Sequence, residues 1–214
     1  MTRDLESKLD AVYEAEGDRD RLDQAYDDWA REYDQDLWAS GNPYIAVMAG
    51  LAGRYIPDRS ARILDGGCGT GNMAHILSMM GYANIVGVDA SAGMLAAAEA
   101  KGCYAELHQM LLGAKIDLPP AGFDAITAAG VLTHGHAPPE ALDGLLEVAK
   151  PGAPIIFSLS KIAAEEGGFA EKMDDLERAG AWSLEERTAP FRTYPFSARY
   201  ADLRHWINVY RKAR

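Results

Sequence analysis

Residues 63–77 read ILDGGCGTGNMAHIL. A short apolar strand runs into Asp65, three alternate glycines follow at positions 67, 69 and 71, and a helix begins at Asn72. Glycine lets the backbone turn sharply and approach a ligand with no Cβ in the way. At the carboxyl end of the first strand of an open α/β sheet, such a turn marks the ligand crevice. Asp89 ends the next strand, IVGVD, eighteen residues past Gly71. A carboxylate in that place accepts hydrogen bonds from both ribose hydroxyls of an adenosine-containing ligand.

Outward from this unit, strands and helices alternate. Apolar runs at 123–131 (FDAITAAGV) and 154–160 (PIIFSLS) read as buried strands, with a brief strand around Tyr104–Leu107. PPEALDGLLEVAK and EGGFAEKMDDLERAG carry helical spacing, and WSLEERT with LRHWINVYRK read as a closing antiparallel pair. The alternation predicts an open, mostly parallel α/β sheet with helices on both faces. Upstream, Leu5, Leu9, Val12 and Tyr13 fall at helical spacing, and Leu22, Tyr26, Trp29, Tyr33 and Leu37 form a second, aromatic-rich helical face. Asn42 is a candidate N-cap for a helix over 44–55. The expected organisation is one structural domain, with an N-terminal helical cap over 1–56 packed on a ligand-binding core over 57–214.

The spacing of the glycines separates two ligand classes. A dinucleotide site uses G-x-G-x-x-G, with a helix N-terminus aimed at a pyrophosphate. Here the spacing is G-x-G-x-G, and Asp65 stands two residues before the first glycine. A carboxylate there repels a pyrophosphate but suits a ligand bearing an ammonium group. S-adenosylmethionine (SAM) carries an ammonium and a sulfonium, so the charge argument favours SAM over NAD.

The segment 63–77 resembles motif I of the class I SAM-dependent methyltransferases, and IVGVDASAGML resembles motif II. FDAITAAGVLTHGH is similar to motif IV, and EVAKPGAPIIFSLS to the strand after the family's L-K-P-G-G turn, with Ala153 in place of the second glycine. AYDDWAREYDQDL near the start and INVYRKAR at the end resemble the methyltransferase-like protein 27 group. The resemblance implies a Rossmann-like, seven-stranded sheet with an antiparallel last strand, and SAM as cofactor with S-adenosylhomocysteine (SAH) as product. It places Asp65, Gly66, Gly67, Gly69 and Asn72 along the methionine portion, and Asp89 on the ribose. Ala90 and Met94 would cover the ribose or adenine, with Leu107 and His108 beside the adenine. Ala129, Gly130 and Val131 would pass beneath the methionine, and Trp29 and Tyr33 would close over the cofactor. The adenine-binding Asp common in the family is missing from ELHQMLLG.

Composition narrows the function class. The chain has 214 residues, 48% hydrophobic and 25% charged, enough for a sizeable core. The formal net charge of -11 disfavours general nucleic-acid binding, which needs a basic surface. No eighteen-residue apolar run predicts a membrane span. MTRDLESKLD lacks a signal-peptide pattern, and two cysteines fit a reducing, cytoplasmic setting. Charge is uneven: residues 1–40 hold five Lys/Arg against thirteen Asp/Glu, and residues 187–214 seven against one. The acidic end reads as solvated faces.

Methyl transfer is an in-line displacement, so an enzyme of this kind mainly positions a nucleophile and strips water from it. A general base helps when the acceptor must lose a proton. His134 and His136 follow the strand that faces the transferred methyl and are the candidate bases. Cys68, Cys103, His108, His134 and His136 form no recognised metal-ligand spacing. The segment 188–204, long for a hairpin connection, interleaves arginines with aromatics; Arg192, Tyr194 and Arg199 are the candidate acceptor contacts. The expectation is a small-molecule acceptor, no membrane, and a monomer or homodimer. Rival readings are an aminopropyl transferase on the same fold, a nicotinamide oxidoreductase, and a non-catalytic SAM- or partner-binding protein.

Overall fold

The computed structural model describes residues 3–15, 18–133 and 136–214. Four helices come first: α1 (Arg3–Glu14), α2 (Arg19–Trp29), α3 (Tyr33–Ala39) and α4 (Tyr44–Tyr55). The aromatic face read as continuous from Leu22 to Leu37 breaks after Trp29. Trp29 Nε1 then reaches across the break to Asp36 Oδ2 at 2.8 Å, tying α2 to α3. The N-cap of α4 is Pro43 and not Asn42, whose Oδ1 accepts from Tyr44 N at 3.0 Å one residue before the cap.

The sheet follows: β1 (Ile63–Gly66), α5 (Asn72–Met79), β2 (Ile85–Asp89), α6 (Ala92–Ala100), β3 (Glu106–Gln109), β4 (Ala125–Ala128), α7 (Ala141–Val148) and β5 (Pro154–Ser160). Next come α8 (Lys161–Glu166), α9 (Phe169–Arg178), β6 (Trp182–Arg187), the two-residue β7 (Phe191–Arg192) and β8 (Arg204–Lys212). The sheet order is β3-β2-β1-β4-β5-β8-β6, with β7 paired to β8 as an eighth, minimal strand. Strands β1 to β5 pair in parallel, and β8 runs antiparallel to β5, β6 and β7. Strands β1, β4 and β5 are buried along their whole length. This explains their unbroken apolar runs, because parallel strands covered on both faces lose the alternating pattern.

Two apolar cores lie on the two faces. One joins Leu5, Leu9, Trp29 and Met48 of the N-terminal helices to Ile63, Ile85 and Ile207 of the sheet. The other packs Leu142, Leu145 and Phe169 against Leu64, Ile126 and Phe157. In the second core Trp182 and Tyr210 stack at 4.0 Å between ring centroids. Such a pair contributes about 1 kcal/mol beyond its buried area.

The acidic N-terminal region is not only a solvated face. Asp27 Oδ1 accepts from Gly93 N at 2.9 Å and from the Ser91 hydroxyl at the start of α6. Asp34 accepts from Thr70 and Asn72, and pairs with Lys101 at 2.6 Å. Lys8 pairs with Asp36 at 2.8 Å. Asp27 and Asp34 clamp the helical region onto the glycine turn and α6, while Asp36 ties α1 and α2 to α3, so part of the acidity serves docking.

Candidate functional site

The glycine turn sits at the carboxyl end of β1, between its two parallel neighbours. Gly67 (φ +67°), Gly69 (φ +53°) and Gly71 (φ +86°) all occupy the left-handed region that favours glycine. A Cβ on Gly67 would lie 2.5 Å from Val131 Cβ, so that glycine is required by close packing. A Cβ on Gly69 would meet no protein atom within 4 Å, so that backbone faces open space. Asp89 anchors the turn: its Oδ2 accepts from Gly69 N at 2.8 Å and its Oδ1 from Ser91 N at 3.0 Å.

Three adjoining cavities open here. The first, about 640 Å³, is lined by Gly67, Gly69, Asp89, Ala90, Met94, Ala129, Gly130, Val131 and Tyr33 of the sequence-derived set, and by His136. The second, about 330 Å³, lies toward Asp65 and Asn72 and shares Tyr33, Gly67, Gly69 and Ala129 with the first. The third, about 430 Å³, is lined by Tyr13, Tyr26, Trp29, Tyr33, Tyr44, Gly130, Thr133, His136, Tyr194 and His205, with Leu9 and Val12. Tyr33 lines all three and marks their junction.

Asp65 is fully buried at the end of β1. Its carboxylate accepts from Tyr104 OH at 2.8 Å and from Thr127 Oγ1 at 3.0 Å. Burial raises its pKa to about 6, while the Tyr104 and Thr127 hydroxyls pull it down and Asp89 pushes it further up. Hydroxyls rather than cations are its partners among the described residues. A ligand ammonium in the second cavity would supply the missing positive charge, whereas a pyrophosphate would meet two carboxylates, Asp65 and Asp89. The open face of Gly69 and the donor set therefore fit SAM.

Several sequence-derived residues lie elsewhere. Leu107 and His108 do not line the cleft: Leu107 packs beneath Gly87, and His108 meets Glu106 at 3.2 Å. The third strand starts at Glu106, two residues later than its sequence pattern indicated. The crevice wall consequently comes from Met110, Leu111 and Leu112, past the strand's carboxyl end. Gly66 lies against Leu145 and Leu112 at the back of the turn. Trp29 is buried and lines the third cavity instead of the first. Asn72 does line the second cavity, with its amide engaged by Asp34 and Lys101.

Of the candidate bases, His134 falls outside the described residues. His136 lines the first and third cavities, and its Nε2 lies 2.5 Å from Tyr26 OH. The acceptor trio is not brought together. Tyr194 lines the third cavity, but Arg192 is exposed on β7, and Arg199 pairs with Asp10 at 2.7 Å. An arginine drawn out to an N-terminal carboxylate does not reach that cavity. Tyr26, Tyr44 and His205 were not singled out from sequence. Tyr26 shares the aromatic helical face, which was a usable signal; His205 is a lone histidine in a strand and carried none. Among the described residues no group of three His, Cys, Asp or Glu could hold a metal ion, and no helix is long and apolar enough to cross a membrane.

The model of a methyltransferase-domain family matches residues 64–157. Human methyltransferase-like protein 27 is 37% identical over 164 residues, which cover 73% of this chain and 66% of that protein. The ubiquinone biosynthesis O-methyltransferase of Pseudomonas putida (strain GB-1) is 28% identical over 138 residues, 61% of this chain and 56% of that one. The chain thus spans just under two thirds of the first relative's length and little more than half of the second's. In fold it is similar to the magnesium protoporphyrin IX methyltransferase of Synechocystis PCC 6803 with bound SAM. The TM-score is 0.58 at 17% identity, covering 79% of this chain and 80% of that one.

Proposed function

We propose that this chain, which resembles methyltransferase-like protein 27, is a class I SAM-dependent methyltransferase that transfers a methyl group to a small-molecule acceptor and releases SAH. Its cofactor is SAM, which when bound supplies a methyl group already activated by a sulfonium. In this reading Asp89 holds the ribose, and the glycine turn lets the cofactor lie against the backbone at Gly69. Met94, with Met110, Leu111 and Leu112, provides an apolar wall for the adenine. Asp65 holds the ammonium in the second cavity. Ala129, Gly130 and Val131 pass beneath the methionine portion. The observation that carries the proposal is the Asp89 anchor beside open glycine backbone, with the buried, cation-poor Asp65 next to it.

Tyr33 stands at the junction of the three cavities, where the methyl would pass from cofactor to acceptor. Its phenol is held well above its ordinary pKa, first by burial and then by Tyr44 and other tyrosines, so it stays neutral. His136 holds Tyr26 at the same boundary and acts as a positioning residue, since that hydrogen bond occupies its Nε2. Burying the reacting atoms among these rings keeps water from competing for the methyl. The relatedness to an O-methyltransferase of ubiquinone biosynthesis supports a small-molecule acceptor.

The test is SAH release, read by mass spectrometry, when the protein is incubated with SAM and a set of neutral and charged small nucleophiles. Acceptor-dependent SAH is expected. Tight SAM binding with no SAH from any acceptor would favour the non-catalytic, SAM-binding alternative.

A further inference from the structure

The third cavity has walls of a distinctive chemistry. Among the described residues lining it there is no Lys, Arg, Asp or Glu; it is built from tyrosines, Trp29, aliphatic side chains, Thr133 and two histidines. Burial keeps the phenols of Tyr33, Tyr44 and Tyr194 neutral. A charged guest would be stripped of water there with no counter-charge, whereas a flat neutral one can stack or sit edge-on against the rings.

One lining residue, His205, has its Nδ1 held by a hydroxyl. Thr193 Oγ1 donates to Leu203 O at 3.2 Å and lies 2.5 Å from His205 Nδ1. Leu203 O also accepts from Thr193 N at 3.0 Å; with the hydroxyl proton on that carbonyl, Nδ1 carries its own proton and donates it to Thr193. Nε2 is then left with its lone pair. Burial lowers the pKa of this imidazole to about 4, which keeps it neutral. The β7–β8 hairpin delivers the arrangement, since His205 pairs with Phe191 in register and Thr193 N donates to Leu203 O at 3.0 Å.

We propose that the third cavity takes a neutral, flat, hydroxyl-bearing acceptor of the phenol class, and that Nε2 of His205 receives the hydroxyl proton. The proposal rests on the methyltransferase reading. As the O–CH3 bond forms, the S–CH3 bond breaks and leaves its electron pair on sulfur. The O–H proton becomes an oxonium proton, acidic enough to pass to an imidazole of depressed basicity. The positive charge lost at sulfur reappears on the imidazolium. His136 cannot serve in the same way while its Nε2 is engaged by Tyr26.

Three isosteric phenols provide the test: tyrosol (neutral), tyramine (cation) and 4-hydroxyphenylacetate (anion), titrated by calorimetry into protein saturated with SAH. Tyrosol is expected to bind at least about tenfold tighter than either ion. An equal or tighter ion, or no binding by any of the three, overturns the acceptor class. Failure of SAH itself to bind would strike the cofactor reading instead. In 15N NMR of the wild-type protein, His205 should show the Nδ1–H tautomer, with its Nε2 resonance moving on tyrosol binding; an Nε2–H tautomer overturns the base. With SAM and tyrosol, His205→Gln should cut SAH release by at least about a hundredfold while tyrosol and SAH affinities hold within a few fold. Retained turnover overturns the assignment. The NMR arm needs no variant, so it decides even if the replacement fails to fold.

Discussion

At the scale of single residues, two carboxylates at adjacent strand ends divide the work, and their surroundings set them apart. Asp89 is held by backbone N–H groups at the rim of the cleft, whereas Asp65 is buried among hydroxyls with its pKa near 6. Because that value lies above the unfolded one of 3.8, the stability due to Asp65 is full below pH 4 and is lost as the pH rises through 6, by about 3 kcal/mol. Chemical denaturation of the free protein at several pH values checks this, and Asp65→Asn should abolish that part of the profile. A ligand ammonium reverses the sign, since it needs the charged carboxylate. SAM affinity should therefore fall about tenfold from pH 7.5 to 5. Methylthioadenosine, which lacks the amino-acid portion, should change little over the same range. An identical fall for both ligands would detach Asp65 from the ammonium. Asp89→Ala should weaken SAM and methylthioadenosine alike, since both carry the ribose; unchanged affinity would sink the ribose assignment. Both carboxylates were legible in the sequence because each closes an apolar strand at a fixed distance from a glycine cluster. His205 was not, because the cavity that gives it meaning joins segments almost the whole chain apart.

At the scale of elements, the glycine turn separates packing from binding. Gly69→Ala places a methyl group in open space at a backbone conformation costing about 1 kcal/mol, so the protein should fold yet lose cofactor affinity. Gly67→Ala drives a Cβ into Val131 and should lower stability by about 1–3 kcal/mol, read as an earlier unfolding midpoint. Equal loss of stability in both variants would mean that Gly69 does not face a ligand. The helices over the cleft depend on a few carboxylates. Asp34→Ala removes the acceptor shared by Thr70, Asn72 and Lys101. Faster amide exchange across α2 and α3, with β1, β4 and β5 unaffected, is the expected outcome by hydrogen-exchange mass spectrometry. Periodicity located α4, α5 and α7 well, because buried helical faces repeat every three to four residues. It misplaced β3 by two residues, since that short, half-exposed strand lacks an apolar run to set its start. The adenine contacts expected at Leu107 and His108 came from the family resemblance, and the cleft wall lies past the strand, at Met110, Leu111 and Leu112.

At the scale of the whole molecule, strand order and cavity arrangement belong together. The order β3-β2-β1-β4-β5 reverses direction at β1, and the glycine turn and the cleft lie at that switch point. The alternation of strands and helices made this much readable from the sequence. The two-residue β7 and the hairpin that brings Tyr194 and His205 to the cleft were not, because their pairing depends on contacts with β8 rather than on local pattern. A ligand that bridges this switch point, the glycine turn and the helices above it should stabilise the molecule as a unit. At SAH about a hundredfold above its dissociation constant the gain is about 2.7 kcal/mol, which raises the melting temperature of a chain this size by roughly 5–10 °C. NAD should leave it unmoved. The central claim, a cleft built for an adenosine ligand bearing an ammonium group, is met most directly by calorimetric titration with SAM, SAH and NAD side by side. Micromolar binding of SAM and SAH with no heat from NAD is the predicted result; binding of NAD alone would contradict the account.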